Sequence, residues 1–137
     1  MAKNYLLQFF ILFQIVVFQA QAFCFFGKVI FYVRNDLPTN SPALTLHCAS
    51  GSKELGYHDL ITGQDFSYDF CASDSALFFC HLWWKEKDIA FEVYNHDWPL
   101  DRCYTPEGDI CYWEARDDGI YLSTDFPPTS FTKQYSW

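Results

Sequence analysis

Positive charge is scarce in this sequence. Its 137 residues contain 9 Lys and Arg against 17 Asp and Glu, which gives a formal net charge of −8 at pH 7. Proteins that bind nucleic acids neutralise phosphates with clustered Lys and Arg side chains. The sequence contains no such cluster, so we expect no nucleic-acid partner.

The sequence also lacks the short motifs that mark metal sites and serine nucleophiles. It has no C-x2-C pair for zinc, no D-x-D-x-D-G loop for calcium and no G-x-S-x-G turn. Two of its four histidines occur as His58-Asp59 and His96-Asp97. Neighbouring residues in an extended strand point to opposite sides, so neither pair by itself forms a site. We therefore predict no enzymatic activity, no bound metal and no cofactor.

The longest apolar run lies at the start of the chain, and no later run is long and apolar enough to span a membrane. Lys3 precedes an apolar run over residues 5–18, and Ala20-Gln21-Ala22 follows it. A basic start, a short apolar stretch and a small-x-small end are typical of a cleaved signal peptide. A membrane anchor is the alternative, but the run is shorter than the roughly 20 residues that cross a bilayer. We predict a signal peptide over residues 1–22, cleaved after Ala22, and a secreted product without stable membrane insertion.

Secretion determines how the six cysteines are interpreted. All of them lie after the predicted cleavage point, in an even number. Thiols pair in an oxidising compartment, whereas in the cytosol the same residues would suggest metal binding or catalysis. Six cysteines allow 15 complete pairings, which the sequence alone does not resolve.

Apolar residues recur with a period of two through most of the remaining chain. Val29, Phe31 and Val33, for example, fall on one face of an extended strand. Seven segments show this alternation or a continuous apolar run: residues 29–34, 44–48, 66–70, 76–84, 89–93, 111–116 and 120–122. This pattern predicts an all-β fold, an antiparallel β-sandwich of about seven short strands. We expect one domain over residues 23–122, and a loosely ordered tail over 123–137 because of Pro127-Pro128.

Two connections between predicted strands are candidate recognition surfaces, namely residues 95–109 and 49–59. Loops on a rigid sandwich commonly carry binding function. The longer loop is rich in Asp, and simple solvation of an acidic loop is the alternative explanation. The candidate partner-binding residues are Asp97, Trp98, Asp101, Arg102, Asp109, Lys53 and Glu54.

An ordered set of motifs resembles the plant self-incompatibility S-protein homologues, which are small secreted proteins. The resemblance covers about residues 28–122. The motifs are Val33-Arg34-Asn35-Asp36-Leu37, Leu44-Thr45-Leu46-His47-Cys48, Glu54-Leu55-Gly56-Tyr57-His58, Leu77-Phe78-Phe79-Cys80-His81-Leu82-Trp83, Cys111-Tyr112-Trp113 and Asp118-Gly119-Ile120-Tyr121.

This resemblance implies a disulfide-stabilised β-sandwich with two bridges among the four cysteines that match the family pattern. Those four are Cys48, Cys80, Cys103 and Cys111. Their pairing stays open. Cys24 and Cys71 depart from the pattern, and a third bridge between them is the simplest hypothesis.

The resemblance also implies a non-enzymatic extracellular ligand. We expect a monomer in the apoplast that binds an unidentified cell-surface receptor, with a possible role in pollen–pistil self-incompatibility. The alternatives are a secreted carbohydrate-binding or hydrolytic protein, with Trp98 or Trp83-Trp84 as sugar contacts, and a defensive effector on the same scaffold.

Overall fold

The computed structural model describes residues 2–21 and 23–137, which form a helix and ten strands. The helix is α1 (Ala2–Gln21). The strands are β1 (Lys28–Asn35), β2 (Leu44–Ser50), β3 (Glu54–Leu60), β4 (Asp65–Cys71), β5 (Leu77–Trp84), β6 (Lys87–Asn95), β7 (Tyr104–Thr105), β8 (Gly108–Arg116), β9 (Gly119–Ser123) and β10 (Phe131–Tyr135). Within these described residues, no helix combines the length and apolarity needed to cross a membrane. Ala22, the predicted cleavage point, lies outside the described residues, so the signal peptide stays a prediction.

The strands form two sheets that share one core. The larger sheet has the order β10-β9-β8-β1-β4, with β7 paired to β8, and the smaller sheet has the order β3-β2-β5-β6. The predicted all-β sandwich is therefore confirmed. Two details differ from the prediction, because there are ten strands rather than about seven and β1 pairs with β8 in parallel.

The three strands that the sequence pattern did not indicate are short or half-exposed. β3 and β10 lie at sheet edges, and neither alternates between fully buried and exposed positions. β7 has only 2 residues. Alternation is clear only where one face of a strand is deeply buried, which explains why these strands escaped detection.

The core lies between the inward faces of the two sheets. Successive side chains of a strand point to opposite faces, so every second residue of β1 and β5 is buried, whereas β8 is buried on both faces over residues 110–115. In the larger sheet the fully buried residues include Val29, Phe31, Val33, Cys111, Trp113, Ala115 and Ile120. In the smaller sheet they include Leu44, Leu46, Cys48, Cys80, Leu82 and Val93.

All six cysteines form disulfides. The bridges are Cys24–Cys71, Cys48–Cys80 and Cys103–Cys111. The first is the bridge hypothesised from the sequence, and it ties the segment before β1 to the end of β4. The second joins paired positions of β2 and β5 inside the core, and the third links the residue before β7 to β8.

The prediction of a loosely ordered tail over residues 123–137 was wrong. After β9 the chain places Phe126 against Tyr32, on the outer side of the larger sheet, with the two ring centroids 5.7 Å apart. β10 then pairs with β9, and the partly buried Tyr135 packs against Phe91 of the core, with ring centroids 5.5 Å apart. The aromatic residues of this segment bury enough apolar surface to fix it, despite the loop signal of Pro127-Pro128.

One end of the sandwich collects several connections. Lys28 at the start of β1 pairs with Cys71 at the end of β4, and Leu77 at the start of β5 pairs with Asn95 at the end of β6. The segment before β1, the β4–β5 connection and the long β6–β7 connection therefore leave the sheets at this end. We call it the cleft end.

Candidate functional site

A cleft of about 930 Å³ opens at the cleft end. Its walls come from the segment before β1, the β4–β5 connection, the end of β6, the β6–β7 connection and the start of β8. The apolar lining includes Phe26, Tyr94, Trp98, Pro99, Leu100 and Tyr104, and the ionisable lining consists of Asp74, His96, Asp101, Arg102, Tyr94, Tyr104 and Asp109.

Two aromatic rings connect the cleft to the core. Tyr94 and Trp98 meet edge to face with ring centroids 6.1 Å apart, and Trp98 lies 6.3 Å from the buried Trp113. Burial, and then the negative charge of Asp109, raise the pKa of the Tyr94 phenol. The Asp109 carboxylate is therefore close enough to Tyr94 to act on it electrostatically. We call the rings of Tyr94 and Trp98 the floor of the cleft.

The β6–β7 connection is held by local hydrogen bonds. The side-chain oxygen Oδ1 of Asn95 accepts a hydrogen bond of 2.9 Å from the backbone N–H of Asp97. The backbone carbonyl of Asn95 accepts a second one, of 3.1 Å, from the N–H of Trp98. The Arg102 guanidinium lies 4.3 Å from the centroid of the Trp98 ring, and its Nη2 donates to Gln134 at 3.3 Å. These contacts fix Trp98 and engage the cation of Arg102 within the protein.

The segment before β1 forms the opposite wall. Its Cys24 is bonded to Cys71, and the backbone carbonyl of Gly27 accepts a 2.9 Å hydrogen bond from the N–H of Ala72. Gly27 has φ 87°, a turn conformation that glycine adopts without strain. The turn presents Phe26 to the cleft with 81% of its surface exposed.

The rim of the cleft combines exposed apolar groups with negative charge. Leu100 is 94% exposed and Tyr104 is 65% exposed. Contiguous exposed apolar surface is typical of an interaction site. Asp74, Asp101 and Asp109 carry the acidic charge of the lining, and Arg102 is its one Lys or Arg residue.

The structure brings together most of the predicted partner-binding residues of the long loop. Trp98, Asp101, Arg102 and Asp109 all line the cleft. Asp97 is exposed on the same loop but does not line the cleft.

Lys53 and Glu54 are not part of the cleft. Lys53 lies in the turn between β2 and β3 and Glu54 is the first residue of β3, the edge strand farthest from β6 in the smaller sheet. Glu54 accepts hydrogen bonds from the Gly56 N–H at 2.9 Å and from His47 Nε2 at 2.5 Å. These bonds lower the pKa of Glu54, with the Gly56 contribution the larger.

Two of the three tryptophans considered as sugar contacts, Trp83 and Trp84, lie outside the cleft lining, and the third, Trp98, lines the cleft with its ring partly covered. Trp84 is buried in the core, and Trp98 is half-buried against Tyr94 and Trp113. Trp83 stacks on His81 with the ring centroids 3.8 Å apart. None of the three indole rings is fully exposed for stacking on a sugar.

The features that would indicate catalysis occur at separate places. His96 is the one histidine in the cleft lining. Among the described residues, the carboxyl group with a strongly raised pKa belongs to Glu114. This residue lies near the C-terminal end of β8, outside the cleft lining. Burial, a hydrogen bond with Asp36 and that residue's charge raise the pKa of Glu114 to about 7. Within residues 2–21 and 23–137, no three His, Cys, Asp or Glu side chains are grouped to hold a metal ion.

Several cleft residues were missed by sequence reasoning, among them Phe26, Tyr94, Leu100 and Tyr104. Phe26 reaches the cleft through the Cys24–Cys71 bridge, so the pair of cysteines outside the family pattern was the available signal. Tyr94 directly follows the predicted strand over residues 89–93, and only the pairing of β5 with β6 shows which end of the sandwich it occupies.

The sequence is similar to a described family of plant proteins. Residues 31–137 match the sequence model of the family described as plant self-incompatibility protein S1. S-protein homolog 29 of Arabidopsis thaliana is 28% identical over 134 residues, covering 93% of this chain and 94% of the relative. S-protein homolog 7 of the same plant is 32% identical over 116 residues, covering 82% of this chain and 83% of the relative.

The fold is similar to a solved structure described as that of SPH (self-incompatibility protein homologue) proteins, "a widespread family of small, highly stable, secreted proteins from plants". The TM-score is 0.54 at 17% sequence identity, and the match covers 81% of this chain and 90% of the other. This likeness concerns the fold, and it agrees with the two-sheet architecture.

Proposed function

The chain belongs to the plant self-incompatibility protein S1 family, and we propose that it is a secreted recognition ligand that binds a cell-surface partner through the cleft end. We further propose that it acts without catalysis, as a monomer, in the apoplast. Participation in pollen–pistil self-incompatibility is the most specific form of this proposal, and it rests on the family alone.

Secretion is supported by independent features. The start of the chain has the order of a signal peptide, and the related structure is described as that of secreted proteins. All six cysteines are bonded, which is typical of proteins from an oxidising compartment. Three bridges stabilise a small domain that must persist outside the cell.

The cleft end carries the proposal of recognition. It combines exposed apolar side chains with a rim of carboxylates, on connections that are fixed to the sandwich. Protein interfaces draw affinity from a few large side chains and draw specificity and association rate from complementary charge. Leu100 and Tyr104 are suited to the first role, and Asp101 and Asp109 to the second.

The non-enzymatic part of the proposal is supported by how the ionisable groups are distributed. An active site usually places a group of strongly displaced pKa inside a cleft, beside a nucleophile or a base. Here Glu114 lies outside the cleft, and the described hydrogen bonds include none between His96 and a carboxylate. The apolar and acidic lining of the cleft therefore supports binding rather than catalysis.

Binding to plant cell surfaces tests the proposed function. The full chain is expressed in plant cells, and the oxidised protein is purified from the medium and labelled with a fluorophore. We expect saturable binding that excess unlabelled protein displaces and that prior reduction abolishes. Recovery of the protein only inside the cells would contradict secretion.

Charge reversal then locates the contact surface. The triple variant Asp97→Lys, Asp101→Lys and Asp109→Lys should bind at least tenfold more weakly, because the rim loses its complementary charge. The matched control reverses three exposed acids outside the cleft: Asp59→Lys, Glu86→Lys and Asp117→Lys. Equal binding by the two variants would show that the cleft end is not the contact surface.

A further inference from the structure

The size and floor of the cleft fit a small organic molecule. Pockets for such ligands span about 300–1,000 Å³ and are lined mainly by apolar and aromatic side chains with a few polar groups. The cleft has a volume of about 930 Å³, and the rings of Tyr94 and Trp98 lie within it. A flat apolar or aromatic ligand would find ring surface there.

Two of the three disulfides border this cleft. Cys103, which lines it, is bonded to Cys111 of β8, and Cys24 holds the turn that carries Phe26. A site whose walls are fixed before binding loses less conformational entropy when a ligand enters. The bridges therefore favour a preformed pocket over a loop surface that orders only on contact.

The charge of the lining selects among apolar ligands. Asp74, Asp101 and Asp109 supply three carboxylates against the single guanidinium of Arg102, which lies over the Trp98 ring and donates to Gln134, so negative charge is in excess. Asp109 lies close enough to Tyr94 to raise the pKa of its phenol, although burial is the larger cause of that rise. A cationic group on the ligand would be attracted, and a carboxylate or phosphate would be repelled.

From these observations we propose that the cleft binds an amphiphilic organic cation, a small molecule with a flat apolar or aromatic body and a protonated amine. Its body would lie against Tyr94 and Phe26, and its ammonium group would lie near Asp101 and Asp109. This site goes beyond the proposed recognition function, because it requires neither a receptor nor a cell surface.

Three fluorescent probes with one aromatic body test the proposal. Dansylcadaverine carries an ammonium group, dansylamide is neutral and dansylglycine carries a carboxylate. Each is titrated into the purified, oxidised full-chain product at neutral pH and low salt, and the rise in dansyl fluorescence reports entry into an apolar site. We expect saturable 1:1 binding of dansylcadaverine, at least tenfold tighter than that of dansylglycine, with dansylamide between them.

Three variants separate the charge of the site from its apolar walls. In the double variant Asp101→Asn and Asp109→Asn, the difference between the cationic and anionic probes should fall below threefold, while dansylamide binds as before. Phe26→Ser should weaken all three probes several-fold. The control Asp59→Asn with Asp117→Asn changes the same charge away from the cleft and should leave the order of affinities intact.

The outcomes of the titration are distinct from those of the cell-binding experiment. Absence of saturable binding, equal affinity for the three probes, or the same loss in the control variant would overturn the proposed pocket. None of these results bears on a receptor, because the titration contains no cells. Conversely, a protein that binds no cell surface can still show the expected order of probe affinities.

Discussion

The indole Nε1 of Trp113 donates a hydrogen bond of 3.0 Å to the backbone carbonyl of Val93. Trp113 belongs to β8 of the larger sheet and Val93 to β6 of the smaller sheet, and both are fully buried. The same indole packs against Phe91 of β6, with the ring centroids 4.9 Å apart. One side chain thus joins the two sheets by both packing and a hydrogen bond.

Replacing this indole should strongly destabilise the domain. We expect Trp113→Ala to lower the free energy of unfolding by about 3–5 kcal/mol, because it leaves a large cavity between the sheets. Trp113→Phe keeps a ring but leaves the Val93 carbonyl without its partner, which costs about 1–3 kcal/mol. Urea denaturation of the oxidised protein measures both.

The control is Tyr57→Ala, since Tyr57 is a large aromatic residue that is 70% exposed. Its loss should cost less than either Trp113 variant. A Trp113→Ala protein as stable as the parent would contradict the assignment of this residue to the core.

The central strands could be predicted from the sequence because burial imposes a period of two on them. Val29, Phe31 and Val33 alternate with half-buried neighbours, and the structure buries all three completely. In these segments local propensity and tertiary packing favour the same conformation.

The cleft and the tail could not be predicted because their conformation depends on distant contacts. Phe26 is placed by a bridge to Cys71, 47 residues after Cys24. Tyr135 and Trp137 pack against the core, although the residues before them have the composition of a loop. The predicted residues of the long loop do meet, but Lys53 and Glu54 do not join them, because strand order decides which turns are neighbours.

The buried carboxyl of Glu114 should make stability depend on pH. Its pKa is raised from the ordinary value of 4.5 to about 7, mainly by burial and then by Asp36, while Arg116 and Arg34 oppose the shift. Between these pH values the unfolded chain releases a proton that the folded protein retains. The free energy of unfolding should therefore fall as pH rises from about 4.5 to about 7, by on the order of 3 kcal/mol at most.

Glu114→Gln should remove this pH dependence, because an amide cannot ionise. Urea denaturation at several pH values between 4.5 and 8 should show a flatter curve for this variant and greater stability than the parent above pH 7. Glu86→Gln, at an exposed site, serves as the control and should follow the parent curve. A parent protein whose stability rises over this pH range would contradict the raised pKa.

The Cys24–Cys71 bridge should stabilise the fold mainly through the unfolded chain. It closes a long loop, with a sequence separation of 47, and neither cysteine is fully buried. Replacing both by Ser should lower the free energy of unfolding by about 2–4 kcal/mol, measured by urea denaturation. Hydrogen exchange at residues 25–27 should also accelerate, because the turn that carries Phe26 loses its anchor.

Alkylation provides the control for this bridge. Iodoacetamide should add to no cysteine of the folded parent protein, whereas the single variant Cys24→Ser should gain one adduct, at Cys71. An adduct on Cys24 or Cys71 of the parent, detected by mass mapping without reduction, would contradict the bridge.

Gly119, the first residue of β9, should not tolerate a side chain. It has φ 157°, and an added Cβ would overlap the backbone carbonyl of Tyr135 where β10 pairs with β9. Because the obstacle is backbone, Gly119→Ala must displace β10 and with it the packing of Tyr135 on the core. We expect the free energy of unfolding, measured by urea denaturation, to fall by about 1–3 kcal/mol.

Gly51→Ala is the matched control. A Cβ at Gly51 meets nothing within 4 Å, so this substitution should leave the free energy of unfolding nearly unchanged. Equal stability of the two variants would show that residues 131–135 do not pack as the tenth strand.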